Sequence, residues 1–174
     1  MNRFKLVLVI VVLIAFYQVS LPNDSLVIKP KVVFVAQDVA DAYDHAGCTP
    51  DLLRILKISF KRKHPDMFVN YDVKKLMNND IGPYYIFNKK YCDKIGKILG
   101  ANIFVMSRLV LVGHDEKGKC EGDLYDVQVK VYSRINEKET MILKLSKVPV
   151  YKFDELFEGK EEEYIRKILE AGSS

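Results

Sequence analysis

The stretch KIGKILGANIFVMSRLVLVG, from Lys94 to Gly113, constrains the fold most, because it joins two spaced glycines to a long apolar run. A dinucleotide-binding turn needs its glycines after a strand and before a helix, so that the phosphates meet the helix N-terminus. Here Gly100 follows a helix and precedes a strand, a place that favours the left-handed conformation of glycine. Gly96 lies inside the helix and indicates close packing against a neighbour. The segment is therefore predicted to be a structural joint.

Strand patterns surround this joint. The run KVVFVA, residues 31–36, is typical of a strand buried on both faces. Val127, Val129 and Val131 alternate with polar residues, which indicates a strand with one buried face. The loop GHDEKGKCEG before it is predicted to be a hairpin. The fold class is α/β (α+β), a mixed sheet of about five strands in the order β-α-β-α-β-β-β-α, with helices packed against it.

Helices are predicted from apolar spacing and capping residues. Asp38 is interpreted as the N-cap of a short amphipathic helix that ends near Ala46. Thr49 and Pro50 are interpreted as the N-cap and first residue of the longer helix DLLRILKISFKRKH. Further helical segments are predicted after Asp72, which is expected to cap the first of them, from Asn88 to Leu99 and from Lys160 to Ala171.

The last strand carries a break in its alternation. Leu143 and Leu145 are out of phase with Val148, and a bulge at residues 146–147 reconciles the two halves. Pro149 cannot donate a hydrogen bond to a ladder, so this strand is predicted to lie at an edge of the sheet.

The N-terminal residues resemble an export signal. Arg3 and Lys5 accompany an apolar run, and residues 4–21 as a helix would extend about 27 Å, close to the hydrocarbon core of about 30 Å. We expect residues 1–21 to be an uncleaved signal anchor that holds the chain in the membrane, with a cleaved signal peptide as the alternative. The positive-inside rule then places the N-terminus in the cytoplasm and the rest on the extracytoplasmic, periplasmic side.

A single domain is expected beyond this segment. Residues 22–30 contain turn formers and are predicted to be a linker, and residues 31–174 to be one globular domain. The net charge of +4 comes from cations and anions that are interspersed, without the basic stripe of a nucleic-acid-binding surface. Nucleic acid is therefore not an expected partner.

Three cysteines bear on the compartment and the core. Cys92 shares an apolar helical face with Ile95 and Leu99 and is predicted to be buried and unreactive. If an exported chain forms a disulfide, Cys48 with Cys120 is the intrachain pair that remains. The sequence leaves open whether their loops approach each other.

Three phrases, HPDMFVNYDVKKLM, KILGANIFVMSRL and DVQVKVYSRINEKE, resemble a family of bacterial envelope domains over roughly residues 31–151. The family includes the N-terminal domain of TolB, the curli secretion lipoprotein CsgG and the penicillin-binding-protein activator LpoB. The resemblance implies a non-enzymatic periplasmic domain that binds proteins or assembles into a larger envelope structure. Two features depart from the family: the lipidated cysteine is missing, and Asn136 and Glu137 replace a hairpin glycine. Pore formation of the curli type is therefore not expected.

Two polar clusters are candidate sites. Asp38, Asp41 and His45 follow the first strand, where α/β folds place ligands, and are weak candidates for divalent metal ligands. The alternative is an acidic, solvent-facing helix surface. A second cluster at residues 114–120 is interpreted as a charged turn, and the basic segment FKRKH at residues 60–64 as a helix end that suits the helix dipole.

Tyr84, Tyr85 and Phe87 lie in an irregular aromatic segment and form a candidate interaction surface, with core packing as the alternative. No catalytic residues and no cofactor are predicted. We expect a non-enzymatic, membrane-anchored, extracytoplasmic protein-interaction or envelope-assembly domain with an unidentified envelope partner, and homo-oligomerisation stays open. The alternative is an envelope hydrolase or metal-dependent enzyme that uses the acidic loop after the first strand.

Overall fold

The computed structural model describes residues 29–40, 48–82 and 87–173. Its strands are β1 (Val32–Phe34), β2 (Asp38–Ala40), β3 (Phe68–Val69), β4 (Ile103–His114), β5 (Asp123–Ser133) and β6 (Lys138–Pro149). Its helices are α1 (Arg54–Lys63), α2 (Val73–Met77), α3 (Lys89–Leu99) and α4 (Glu161–Ser173), and two short 3₁₀ turns, Val150–Lys152 and Asp154–Leu156, precede α4.

The strands form one six-stranded mixed sheet in the order β3-β1-β4-β5-β6, with β2 also paired to β4. The pairs of β1 with β3, β1 with β4 and β2 with β4 are parallel. The pairs of β4 with β5 and β5 with β6 are antiparallel, which confirms the predicted hairpin. The mixed α+β class is thus confirmed, with one strand more than expected.

The helix predicted from Asp38 is wrong at residues 38–40, which form the additional strand β2. Strand β1 reaches only the first residues of β4, from Ile103 to Val105. The following part of β4 would lack a partner on that side, and β2 fills this place, with Asp38 opposite Arg108. The pairing of unpaired backbone groups overrides the local helical pattern. Residues 41–47, the rest of the predicted helix, lie outside the described residues.

The predicted start of the longer helix is also wrong. Helix α1 begins at Arg54, and no side chain caps its N-terminus. Thr49 instead places its Oγ1 3.0 Å from the hydroxyl of Tyr125, so it is held by the sheet and not by the helix. Asp51 accepts a hydrogen bond from the amide of Leu53 in the turn before α1.

The predicted joint is confirmed. Gly100 ends α3 with φ of 75°, in the left-handed region, and β4 begins three residues later. Gly96 lies so close to its neighbours that an added Cβ would come within 2.6 Å of the carbonyl oxygen of Ala101. Asp72 caps α2 by accepting from the amide of Lys75, as predicted.

Alternate residues of the central strands build a hydrophobic core on each face of the sheet. Ile103, Val105 and Leu109 of β4 belong to the core beneath α1 and α4. Phe104 and Met106 belong to the core on the other face, where Leu76 of α2 and the buried face of α3 pack. The sheet is therefore covered on both faces in its central part. The edge strand β6 is the part of the sheet that stays partly exposed to solvent.

Candidate interaction surface and a disulfide-linked polar cluster

Strand β6 is a long edge of the sheet. It pairs with β5, and no other described strand pairs with it. Its apolar residues are incompletely covered: Met141 is 47% exposed and Leu145 is 38% exposed. An edge strand also directs backbone N–H and C=O groups away from the sheet, where another extended chain can bind them.

Two irregularities shape this edge. The register between β5 and β6 shifts between Tyr125 and Val127, so that residues 146–147 stand opposite a single residue of β5. This confirms the predicted bulge, and Lys147 adopts a φ of 55° within it. A second shift, between Val129 and Lys130, leaves Ile142 as the extra residue. Bulges strengthen local twist and limit how far a second strand can follow the edge.

A buried lysine links the predicted aromatic segment to β6. Lys130 is only 8% exposed, and its Nζ lies 2.9 Å from Oε2 of Glu139. The same Nζ lies 4.0 Å from the centre of the Phe87 ring. Because a buried ammonium group must be paired, these two contacts hold Phe87 beside β6. Met141 stands opposite Lys130 in the strand register.

Phe87 is half-buried and packs against the core beneath α3. Phe87 was predicted to belong either to an interaction surface or to the core. It does both, since it contacts the core and also borders the edge strand. Tyr84 and Tyr85 lie outside the described residues.

A groove of about 380 Å³ runs between β6 and α4. It lies on the face of the sheet that α4 covers and opens to solvent beside the edge strand. Its lining residues are Lys138, Thr140, Met141, Ile142, Lys167, Glu170 and Ala171.

The charges along β6 are unbalanced. Lys138, Lys144 and Lys147 are exposed, and within the described residues none of them forms an ion pair. The acidic residue of the strand, Glu139, is paired to Lys130. The edge therefore presents positive charge together with apolar side chains.

The structure contains a disulfide between Cys48 and Cys120, with 5.1 Å between their Cα atoms. This bond answers the question that the sequence left open, because it brings the segment before α1 against the hairpin loop between β4 and β5. Cys48 is consequently held against the second predicted polar cluster, at residues 114–120.

Asp123, which is fully buried, organises the hairpin side of this end. Its Oδ1 lies 2.8 Å from Nδ1 of His114 and accepts a hydrogen bond from the amide of Cys120 at 2.9 Å. Its Oδ2 lies 3.4 Å from the hydroxyl of Tyr125, which in turn contacts Thr49. The cluster is thus a structural network that holds the disulfide-linked loops in place. Sequence reasoning missed Asp123 because its contact with His114 depends on the register of the hairpin, which places these two residues opposite each other.

The acidic candidates for metal binding are only partly described. Asp38 forms an ion pair with Arg108, with 3.3 Å between Oδ2 and Nε, so its carboxylate already has a cationic partner. Asp38 lies in β2, so it is a strand residue and not a helix cap. Asp41 and His45 lie outside the described residues. Within the described ranges, no group of three or more metal-ligating side chains comes together.

Cys92 is buried on α3, as predicted, with its Sγ 3.7 Å from the sulfur of Met106. Burial raises the pKa of this thiol to about 12, and the charge of Asp93 contributes in the same direction. The thiolate is the nucleophilic form of cysteine, so this environment suppresses its reactivity.

The basic end of α1 has partners of its own. Lys63 pairs with Glu162 of α4, and Lys61 lies 5.6 Å from the centre of the Phe68 ring. A groove of about 310 Å³ between these helices is lined by both acidic and basic residues, among them His64 and Arg166. These contacts support the interpretation of the basic segment as a helix end.

No protein-family model and no curated protein sequence matches this chain. Two solved structures are similar to it. The NMR structure of LpoB from E. coli has a TM-score of 0.40 and 8% identity, over 67% of this chain and 54% of that one, so the similarity spans about half of the LpoB chain. The crystal structure of lipoprotein GNA1162 from Neisseria meningitidis has a TM-score of 0.37 and 9% identity, over 79% of this chain and 99% of that one.

These similarities are distant and concern the arrangement of strands and helices alone. LpoB is one of the proteins that the sequence resemblance names, while membership of that family stays a prediction. Among the helices of the described ranges, none is long and apolar enough to cross a membrane, and the predicted membrane segment 4–21 lies outside those ranges.

Proposed function

We propose that this protein is a non-enzymatic, extracytoplasmic protein-interaction or envelope-assembly domain that residues 4–21 hold at the membrane. The observation that carries the proposal is the long edge of β6, where Met141 and Leu145 are exposed and where Phe87 is held by Lys130. Exposed apolar side chains beside unpaired strand groups are typical of surfaces that other proteins cover.

The disulfide supports the proposed extracytoplasmic location. Disulfides persist in oxidising environments such as the periplasm and are rare in the cytosol. The bond between Cys48 and Cys120 therefore supports an extracytoplasmic location for the domain.

Site-specific photo-crosslinking in intact cells tests the interaction role. A photoreactive residue at Met141 should yield a discrete crosslinked protein. The matched control is Ile58, an apolar residue that is 58% exposed and belongs to helix α1 and not to the sheet. Equal products at both positions, or none at Met141, would contradict the proposal.

The membrane attachment has a separate test. After a carbonate wash, the full-length chain should stay in the membrane fraction, and its measured mass should retain residues 1–20. A mature species that begins near Leu21 in the soluble extracytoplasmic fraction would show instead that the segment is a cleaved signal peptide.

A further inference from the structure

The chemistry of the β6 edge indicates which kind of partner it accepts, an inference that rests on the proposed function. We infer that β6 receives an extended segment of another protein that carries both acidic and apolar residues on each of its faces. The segment would pair with the strand edge. By the register of β6, Met141 and Lys144 lie on one face of the sheet and Leu145 and Lys138 on the other, so on each face the segment would place an apolar side chain against the apolar residue and a carboxylate near the lysine.

Charge distinguishes this occupant from a second copy of the same strand. Two β6 strands that pair with each other would bring two sets of lysines together, and like charges across a strand pair are destabilising. Exposed lysines and bulges are the devices by which natural edge strands prevent indiscriminate pairing. The lysines that repel a second β6 attract carboxylates, so the edge excludes its own copy and selects an acidic strand.

The ion pair of Lys130 with Glu139 strengthens this argument. Since Glu139 is the acidic residue of β6 and is engaged by a buried lysine, it does not neutralise the exposed lysines of the strand. The net charge at the edge is therefore positive within the described residues.

The apolar character of the edge favours a polypeptide over an anionic membrane surface. Met141 and Ile142 also line the groove between β6 and α4, which has room for side chains that project from an added strand. A lipid headgroup would satisfy the lysines but would leave the backbone groups of the edge without a strand partner.

The test uses the full-length chain in detergent micelles and a library of displayed random peptides of about ten residues, a length that matches the strand. Selected peptides should be rich in both acidic and apolar residues. Their synthetic copies should slow amide hydrogen exchange in β6, because strand addition protects the edge. Peptides without acidic residues, or binding that leaves exchange in β6 unchanged, would overturn the inference.

A charge-reversal variant tests the role of the lysines. Lys138→Glu, Lys144→Glu and Lys147→Glu together should weaken the selected peptides by about tenfold or more. The matched variant Lys74→Glu, Lys75→Glu and Lys94→Glu makes the same change of net charge on the exposed surface of α2 and α3 and should leave binding within about twofold. Equal weakening by both variants would mean that net charge alone drives binding, which also overturns the inference.

Binding to vesicles that contain phosphatidylglycerol tests whether the edge contacts a membrane instead of a protein. If they bind the chain through the same three lysines and no peptide is selected, the β6 edge is a membrane-contact surface and the inference fails. If Met141 crosslinks a protein in cells while acidic peptides do not bind, the inference also fails, but the proposed interaction role stands.

Discussion

The buried carboxylate of Asp123 contacts His114 at the end of the β4–β5 hairpin, with 2.8 Å between Oδ1 and Nδ1. The same carboxylate accepts from the amide of Cys120, next to the disulfide. We predict that Asp123→Asn lowers the free energy of unfolding by about 2 kcal/mol, because the amide nitrogen cannot accept the hydrogen bonds of a buried carboxylate oxygen. Urea denaturation measures the change. Glu116→Gln, at an exposed position in the same loop, is the control, and an equal effect of both variants would contradict the prediction.

Removal of the disulfide should destabilise the domain. The bond closes a loop with a sequence separation of 72 residues, and replacing Cys48 and Cys120 by serine should reduce stability by about 4 kcal/mol through the greater entropy of the unfolded chain. Urea denaturation with and without a reducing agent provides the measurement. The reducing agent should destabilise the native protein and leave the double variant unaffected, and a native protein that is insensitive to reduction would argue against the bond.

Cys92 should resist thiol reagents in the native state. Its burial and its pKa of about 12 keep it protonated and inaccessible at neutral pH. A bulky maleimide should label it only after unfolding. Fast labelling of the native, oxidised protein would show that α3 opens readily.

The raised pKa of Cys92 also predicts a loss of stability at high pH. In the unfolded chain the thiol ionises near its ordinary value of 9.0, whereas in the folded protein it stays protonated up to about 12. The unfolded state therefore binds fewer protons between these values, and stability falls as the pH rises through this window. Cys92→Ala should show a smaller decline in urea denaturation at alkaline pH than the native protein, and identical profiles would refute the prediction.

Gly96→Ala should be destabilising by about 1–3 kcal/mol, because the added methyl group would overlap the backbone oxygen of Ala101 and force α3 away from β4. Gly82→Ala is the matched control, since an added Cβ there meets no atom within 4 Å. Thermal unfolding compares the two variants. A Gly96→Ala protein as stable as the control would show that the helix relaxes without cost.

Divalent metal ions should leave the melting temperature unchanged at millimolar concentration, because Arg108 already neutralises Asp38. A saturable rise in the melting temperature that is lost in His45→Ala would instead support the metal-dependent enzyme as the function of this protein.

The features that the sequence predicted correctly are local ones. Spacing alone indicates these features, because each depends on residues within a few positions of each other. They are the left-handed Gly100, the cap at Asp72 and the alternation of Val127 and Val129 with polar residues. The bulge at residues 146–147 was predicted for the same reason, since it restores a period of two within one strand.

The contacts that define the candidate surface depend on residues far apart in the chain. Lys130 meets Phe87 only because its side chain projects from the face of the sheet on which the segment before α3 packs. Nothing near position 130 distinguishes this lysine from an exposed one, because its alternation with apolar residues is that of any half-exposed strand.

By itself, the sequence of this protein determined the class of fold, the hairpin of β4 and β5, the edge position of β6 and the burial of Cys92. Each of these follows from periodicity, turn chemistry or the missing amide hydrogen of proline. Tertiary structure alone decided that residues 38–40 form a strand, that Cys48 reaches Cys120, and that Glu139 is engaged and leaves three lysines exposed along β6. The physical reason is that these outcomes arise from pairing between distant segments, where unpaired backbone groups and buried charges must find partners irrespective of local propensity.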